Sequence, residues 1–124
     1  MTRRPRVLLV EDSPVQARLV RELTARALDV EWADRLSTAL ARLARGGIDA
    51  VLLDLSLPDS WGLDTLRRVV EAQPDLPVLV FFGGDRERIA AEALRGGAAA
   101  VLSKDGRYEE TILEAVRAAL PRRR

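Results

Sequence analysis

Charged side chains directly follow three short apolar runs of this sequence, and their types suit a common chemistry. Glu11 and Asp12 follow one run, Asp54 follows a second, and Lys104, the only lysine, ends a third. If these runs are parallel strands of one sheet, the four side chains gather at one edge of it. Three carboxylates and one ammonium group at one place can hold a divalent cation and a phosphoryl group.

The elements that would position these residues alternate between apolar runs and amphipathic segments. Strands that are apolar throughout and separated by helices are typical of a parallel sheet covered on both faces. Right-handed crossovers then give a doubly wound α/β domain, whose ligand site lies outside the carboxyl ends of the strands. The predicted strands are 6–10, 30–33, 50–54, 78–82 and 100–103.

Capping residues and paired glycines predict where the helices begin and end. Ser13 is the expected N-cap of the first helix, with Pro14 at its first position. Asp34 and Asp85 are the expected caps of the second and fourth helices. Glycine pairs at 46–47 and 96–97 end those two helices, because glycine is common just past a helix C-terminus.

Apolar spacing predicts the helices themselves, and one segment between them predicts a loop. Val15, Leu19, Leu23 and Ala27 recur every four residues and form one face of the first helix. Segment 55–62, which contains a proline, is predicted to be a loop after the third strand.

Composition excludes several classes of function. A chain of 124 residues has the size of one domain, predicted to span 1–121, and 122–124 form a basic tail that could begin a linker. With no cysteine there is no disulfide and no thiolate chemistry, and with no histidine the commonest general base is missing. The net charge of +1 and the lack of a long apolar run predict neither direct nucleic-acid binding nor membrane insertion.

Taken singly, each charged residue also has an ordinary structural explanation. Asp12 could favour a helix N-terminus, Asp54 could be a solvated strand end, and Lys104 could be a surface cation. Taken together they favour a site, because clustered carboxylates repel one another unless a cation lies among them. Ligands that are all oxygen atoms suit a hard ion such as Mg²⁺.

The chain resembles the receiver domain of bacterial two-component response regulators over essentially its whole length. The resemblance lies in VLLVEDS at 7–13, VLLDLSLPD at 51–59 with Gly-Leu at 62–63, and Gly-Ala at 97–98 ahead of VLSK at 101–104. It implies a five-stranded doubly wound sheet of the flavodoxin-like (βα)5 type.

The resemblance also implies a role for each site residue. Asp54 would accept a phosphoryl group from a histidine kinase, and Lys104 would pair with the phosphoryl oxygens. Mg²⁺ would be held by Asp12, Asp54 and the main-chain carbonyl of Ser56, with Glu11 acting directly or through water.

Two positions depart from the family pattern, and both belong to the conformational switch. Phe82 stands where receivers usually have threonine or serine, and Val101 stands where they commonly have tyrosine or phenylalanine. Phenylalanine donates no hydrogen bond, so a phosphorylated Asp54 would lack one partner. A large ring at 82 beside a small side chain at 101 conserves volume, so we hypothesise that the two pack together and fix one state. The alternative is that Phe82 points aside and that other groups carry the switch.

The expected partners follow from the same resemblance. They are a histidine kinase or phosphotransfer protein, and a downstream protein or an attached output domain, in the cytoplasm. Dimerisation through the face of the fourth helix, fifth strand and fifth helix is a further expectation, and Trp61 either contacts the kinase or covers the core. The chain is not predicted to be an enzyme, beyond self-phosphorylation from small donors and autodephosphorylation.

Three other functions remain as alternatives. A receiver that no longer depends on phosphate could act as a constitutive protein-interaction module. A flavodoxin-like flavin binder would need a phosphate-cradling loop after the first strand, where this chain has Glu11 and Asp12. A magnesium-dependent phosphate-ester hydrolase would need a second carboxylate two residues after Asp54, where this chain has Ser56.

Overall fold

Among the residues that the structure describes, five parallel strands form one central sheet with helices on both of its faces. The computed structural model describes residues 3–82, 86–103 and 108–121. In chain order the elements are β1 (Arg6–Val10), α1 (Pro14–Thr24), β2 (Asp29–Ala33), α2 (Leu36–Ala44), β3 (Ala50–Asp54), β4 (Ser56–Leu57), β5 (Ser60–Trp61), α3 (Leu63–Ala72), β6 (Val78–Phe82), α4 (Arg86–Arg95), β7 (Ala100–Ser103) and α5 (Tyr108–Ala119).

The strand order of the main sheet is β2-β1-β3-β6-β7, and every neighbouring pair is parallel. The chain passes from β1 to β2 on one side and then returns to place β3 on the other side of β1. This reversal is the doubly wound arrangement that the alternating pattern predicts. All five predicted strands are present, and β2 begins one residue earlier than expected.

Alternate side chains of each strand enter one of two cores. Leu8 and Val10 of β1 lie in the core beneath α2, α3 and α4, whereas Val7 and Leu9 lie in the core beneath α1 and α5. β3 is buried along its whole length. Burial on both faces is the reason that the strands read as continuous apolar runs.

Helix α1 begins as predicted but buries a different face. The main-chain N–H of Gln16 donates to Ser13 Oγ at 3.3 Å, and proline follows as the first helical residue. The helix ends at Thr24, before Ala27, and its buried residues are Ala17, Val20 and Thr24. The apolar stripe with four-residue spacing faces solvent: Val15 is 76% exposed, Leu19 40% and Leu23 47%.

The predicted cap of α2 is wrong. Asp34 lies too early to cap a helix that begins at Leu36, and its carboxylate instead accepts from Arg35 Nε at 3.2 Å. The cap comes from Asp59, whose two carboxylate oxygens accept from the main-chain N–H groups of Leu36 at 2.8 Å and Ser37 at 2.9 Å. A distant residue therefore satisfies the first donors of the helix.

The segment predicted to be a loop after β3 contains a small antiparallel hairpin. Ser56 pairs with Trp61, and Leu57 pairs with Ser60. Leu57 is buried, and the hydroxyl of Ser60 lies 2.6 Å from that of Thr65 in α3. These contacts hold the chain that follows the strand end at Asp54 in one conformation.

The remaining helix boundaries agree with the sequence, within the part of the chain that is described. Glycine pairs follow α2 and α4, and Pro121 follows α5. The predicted cap at Asp85 and the glycines at 83–84 lie outside the described residues. No helix in the described ranges is long and apolar enough to cross a membrane.

Candidate functional site

Three carboxylates meet at the carboxyl edge of the sheet. One carboxylate oxygen from each of Glu11, Asp12 and Asp54 lies within 4.8 Å of the other two. The register explains the meeting, because Val10 at the end of β1 pairs with Leu53 of β3. The residues that come next, Glu11 just after β1 and Asp54 at the end of β3, are therefore acids at the same level of the sheet.

The three acids differ in exposure. Glu11 and Asp54 are each only 4% exposed, whereas Asp12 is exposed. Two carboxylates thus lie below the surface and one lies at the opening. Like charges that lie this close together destabilise the metal-free protein by electrostatic repulsion, and they therefore favour a bound cation. An all-oxygen set that includes solvent-accessible Asp12 fits Mg²⁺, which keeps several waters in most protein sites.

Main-chain N–H groups from the following residues orient the two buried carboxylates. The N–H of Ser56 donates to Asp54 Oδ1 at 2.9 Å, and the N–H of Ser13 donates to Glu11 Oε2 at 3.3 Å. In each case the donor lies two residues after the acid. The turn after each strand is thereby folded onto its own carboxylate.

Trp32 is a contact of this site that sequence reasoning missed. Its indole Nε1–H donates to the main-chain carbonyl of Glu11 at 2.6 Å. The N–H of Glu11 donates in turn to the carbonyl of Ala33 at 3.0 Å. The sequence does show a tryptophan near the end of β2. The direction of its side chain, however, depends on the pairing of β1 with β2, which the sequence does not show.

A family model of the response regulator receiver domain matches residues 7–117 of the chain. The chain belongs to this family. The match begins in β1 and ends in α5, so it includes all five strands of the main sheet and all three acids of the site. Homologues and solved structures agree with this assignment.

Among curated relatives, the transcriptional regulatory protein TrcR of Mycobacterium tuberculosis is 36% identical over 108 residues. That match covers 86% of this receiver domain and 42% of TrcR. A protein-glutamate methylesterase/protein-glutamine glutaminase of Anaeromyxobacter dehalogenans is 37% identical over 126 residues, covering 93% of this chain and 36% of that protein. This receiver domain spans only 25% to 50% of the length of the curated relatives that it matches, so those proteins are two to four times as long as the matched part.

Solved receiver domains have the same fold. The signal receiver domain of an HD domain-containing protein from Pseudomonas fluorescens Pf-5 superposes with a TM-score of 0.82 at 28% identity, covering 97% of this chain and 89% of that one. A response regulator receiver domain from Clostridium thermocellum superposes with a TM-score of 0.84 at 22% identity, covering 93% of each chain. The second likeness, at its lower identity, supports the fold alone.

The structure describes two further predicted site residues, Ser56 and Lys104, only in part or not at all. Ser56 is exposed and adjoins Asp54, and the predicted role of its carbonyl oxygen stays a prediction. Ser103 ends β7 beside Phe82 of β6, at the edge of the sheet that carries the acids. Lys104 itself lies outside the described residues.

The two atypical switch positions are described only in part. Val101 is half-buried, pairs with Val80 and packs against the core beneath α2, α3 and α4. The main chain of Phe82 lies in β6, but its side chain is outside the described residues. The hypothesis that Phe82 packs on Val101 therefore stays a prediction.

Asp59 connects the loop of the receiver site to α2. Burial raises the pKa of this carboxyl, but hydrogen bonds from the main-chain N–H groups of Ser37 and Leu36 outweigh it and hold the pKa below the ordinary value. The ionised carboxylate is therefore the capping form. Because Asp59 lies in the turn of the hairpin, the cap also anchors the loop that carries Ser56.

Trp61 lies at the exposed end of the same hairpin. It is 76% exposed, so it does not cover the core. The other expectation, that Trp61 contacts the kinase, stays a prediction.

Proposed function

We propose that this receiver domain accepts a phosphoryl group on Asp54 from a phosphohistidine of a histidine kinase or phosphotransfer protein, in a Mg²⁺-dependent reaction in the cytoplasm. The observation that carries the proposal is the meeting of Asp54 with Glu11 and Asp12 within 4.8 Å. A nucleophilic carboxylate beside two further acids suits phosphoryl transfer, in which charge neutralisation and positioning supply most of the catalysis.

The cation of this reaction would be held by Asp12, Asp54 and the main-chain carbonyl of Ser56, with Glu11 acting directly or through water. When bound, Mg²⁺ neutralises charge on the transferring phosphoryl oxygens. Lys104 would pair with the same oxygens as a compact point charge, a role that suits lysine better than the larger fork of arginine.

The chain's own nucleophile is the Asp54 carboxylate. One of its oxygens attacks the phosphorus, the bond between phosphorus and the donor imidazole nitrogen breaks, and the electron pair stays on that nitrogen. The Ser56 N–H, bound to Oδ1 at 2.9 Å, fixes the plane of the carboxylate during the attack. Fixed orientation of this kind reduces the entropy cost of reaching the reactive geometry.

The exposed apolar stripe of α1 offers a docking surface for the protein donor. Val15, Leu19 and Leu23 lie on the helix that begins directly after Glu11 and Asp12, so the stripe adjoins the acids. We propose that the phosphohistidine protein packs against it. Leu19→Glu should leave labelling by acetyl phosphate unchanged and should lower labelling by any phosphohistidine protein that labels the wild type. Equal loss from both donors would contradict the docking role.

The response to phosphorylation is expected to be weak, because Phe82 supplies no hydroxyl for the phosphoryl group. Phe82→Thr should therefore increase the structural change that beryllofluoride, a phosphoryl mimic, produces at the α4-β7-α5 face. Amide hydrogen exchange in α4 and α5 measures that change. An unchanged response in Phe82→Thr would favour the alternative of a phosphate-independent interaction module, which acts through a downstream protein, an attached output domain or a dimer.

The direct test of the proposed function is labelling with acetyl phosphate, followed by intact mass spectrometry. Wild type with Mg²⁺ should gain one phosphoryl group, and wild type with EDTA should gain none. Asp54→Asn should gain none, whereas Asp64→Asn, which alters an exposed acid of α3, should label like wild type. Labelling that persists in Asp54→Asn would place the acceptor elsewhere and overturn the proposal.

A further inference from the structure

The penultimate residue of the edge strand β2 is a tryptophan, Trp32, whose side chain contacts the main chain of the acidic site. Trp32 is 37% exposed and lies beside α1, where Pro14, Arg18 and Arg21 share with it the lining of a groove of about 520 Å³. Its indole N–H points inward and donates to the Glu11 carbonyl at 2.6 Å. The ring is thus partly in solvent, while its only polar atom is bound to the residue before Asp12.

The bond acts on the peptide link that leads to Asp12. The Glu11 carbonyl belongs to the Glu11–Asp12 peptide plane, so holding its oxygen holds the direction in which the chain leaves β1. The Glu11 N–H is bound to the Ala33 carbonyl at 3.0 Å. Both polar main-chain atoms of Glu11 are therefore tied to the last two residues of β2.

The carboxylate of Asp12 depends on this main-chain support. Asp12 is exposed, and among the described residues no side-chain or main-chain donor contacts its carboxylate. Glu11 and Asp54, in contrast, accept hydrogen bonds from main-chain N–H groups. The placement of Asp12 toward the other two acids therefore rests on the conformation of the Glu11–Asp12 peptide.

We propose that Trp32 is a positioning residue for the cation site, and that its indole N–H fixes the Glu11–Asp12 peptide so that Asp12 can act as a ligand. The proposal rests on the proposed function, since it assumes that the three acids bind Mg²⁺. Groups that hold metal ligands in place affect affinity strongly, and their loss typically weakens binding about 10- to 100-fold. Asp12 keeps its own carboxylate here, so we expect the lower end of that range.

The test removes the N–H and keeps the ring. In a Trp61→Phe background, Trp32 is replaced either by 5-fluorotryptophan, which retains the N–H, or by 3-benzothienylalanine, which has sulfur in its place. Isothermal titration calorimetry then compares the Mg²⁺ affinities of two proteins whose side chains at position 32 have nearly equal shape. The benzothienyl protein should bind Mg²⁺ about tenfold more weakly. As the matched control, the same exchange at Trp61 in a Trp32→Phe background should leave the affinity unchanged.

A second measurement requires no substitution. By linkage, if the indole bond strengthens cation binding, the cation must strengthen the indole bond by the same factor. Hydrogen exchange of the two indole N–H groups, followed by NMR, should show that Trp32 exchanges more slowly than Trp61. Mg²⁺ should slow Trp32 further and leave Trp61 unaffected.

The outcomes separate the two proposals. If the fluorotryptophan protein and the benzothienyl protein bind Mg²⁺ with equal affinity, the role of Trp32 is overturned and the cation site stands. Absence of Mg²⁺ binding in every protein, including wild type, would overturn the cation site and the role of Trp32 with it. An indole N–H at position 32 that exchanges as fast as that of Trp61, with and without Mg²⁺, would also overturn the positioning role.

Discussion

Asp59 caps helix α2 through the main chain of Leu36, with its Oδ1 accepting from the Leu36 N–H at 2.8 Å across 23 residues of sequence. Its Oδ2 accepts from the neighbouring Ser37 N–H at 2.9 Å. The hairpin after β3 and the start of α2 are thus joined by one carboxylate. This contact fastens the loop of the receiver site to α2, which covers one of the two cores.

Removing this cap should destabilise the protein. Asp59→Ala leaves two helix donors without their partner, and loss of a capping side chain typically costs about 0.5–2 kcal/mol. We expect the free energy of unfolding in urea to fall by about 1 kcal/mol. Asp34→Ala is the matched control, because Asp34 looks like the cap in the sequence but, among the described residues, pairs with exposed Arg35 alone. Equal losses in the two variants would contradict the assignment.

The same contact predicts a dependence of stability on pH. The pKa of Asp59 is lowered in the folded protein, so below the ordinary value of 3.8 the unfolded chain binds the proton first. The contribution is therefore complete above that value and is lost as the pH falls through the lower folded pKa. Asp59→Asn should remove this part of the acid dependence. Urea unfolding of both proteins between pH 7 and 3 measures it, and parallel curves would exclude the effect.

Asp54→Asn should have opposite effects on stability with and without Mg²⁺. Without the cation, replacing one of three clustered carboxylates relieves repulsion, while the amide oxygen can still accept from the Ser56 N–H. We expect the free energy of unfolding in EDTA to rise by about 1 kcal/mol. With saturating Mg²⁺ the wild type should become the more stable protein, because only it gains the binding energy. Thermal unfolding in both buffers checks the reversal, and a variant less stable in EDTA would contradict it.

Arg42 should contribute more to stability than Arg67, although each contacts two partners. Arg42 is 14% exposed, donates through Nε and Nη2 to Glu31 at 2.6 and 3.1 Å, and donates through Nη1 to the Gly46 carbonyl. This hydrogen bonding also lowers the pKa of Glu31. We expect Arg42→Ala to cost about 1–2 kcal/mol.

Two controls accompany that measurement. Arg42→Lys should recover little, because an ammonium group cannot reproduce the two-pronged contact. Arg67→Ala removes an exposed arginine that pairs with Asp64 and Glu71, and should cost clearly less than Arg42→Ala, because solvent screens these pairs. A cost for Arg67→Ala as large as that for Arg42→Ala would show that burial does not govern these pairs.

Gly97 should tolerate substitution less well than Gly46. Both have a positive φ, 108° at Gly97 and 75° at Gly46, so alanine strains the backbone at either position. A Cβ at 97 would also lie 3.3 Å from both γ-carbons of Val70, whereas one at 46 would meet nothing within 4 Å. We expect urea unfolding to give a cost of about 1 kcal/mol for Gly46→Ala and about 2–3 kcal/mol for Gly97→Ala. In a Val70→Ala background the unfolding free energies lost by Gly97→Ala and by Gly46→Ala should become similar. If they stay different, contact with Val70 is not the cause of the larger cost at Gly97.

Much of the fold and the centre of the site could be predicted from the sequence, because both depend on local patterns. Five apolar runs with intervening helical periodicity predict the parallel sheet, and burial on both faces makes that signal strong. Glu11, Asp12 and Asp54 follow such runs directly. Their meeting needed only the rule that parallel strands end at a common edge, which the 4.8 Å cluster bears out.

The tertiary structure alone decided the contacts between residues that are distant in sequence. The cap of α2 comes from Asp59 and not from nearby Asp34, and the carbonyl of Glu11 is bound by Trp32 across 21 residues. Helical spacing likewise could not tell which face of α1 is buried, because the stripe of Val15, Leu19 and Leu23 is as regular as a core face. Periodicity records only the neighbours along one element, whereas these contacts depend on how β2, the hairpin and the helices pack across the sheet.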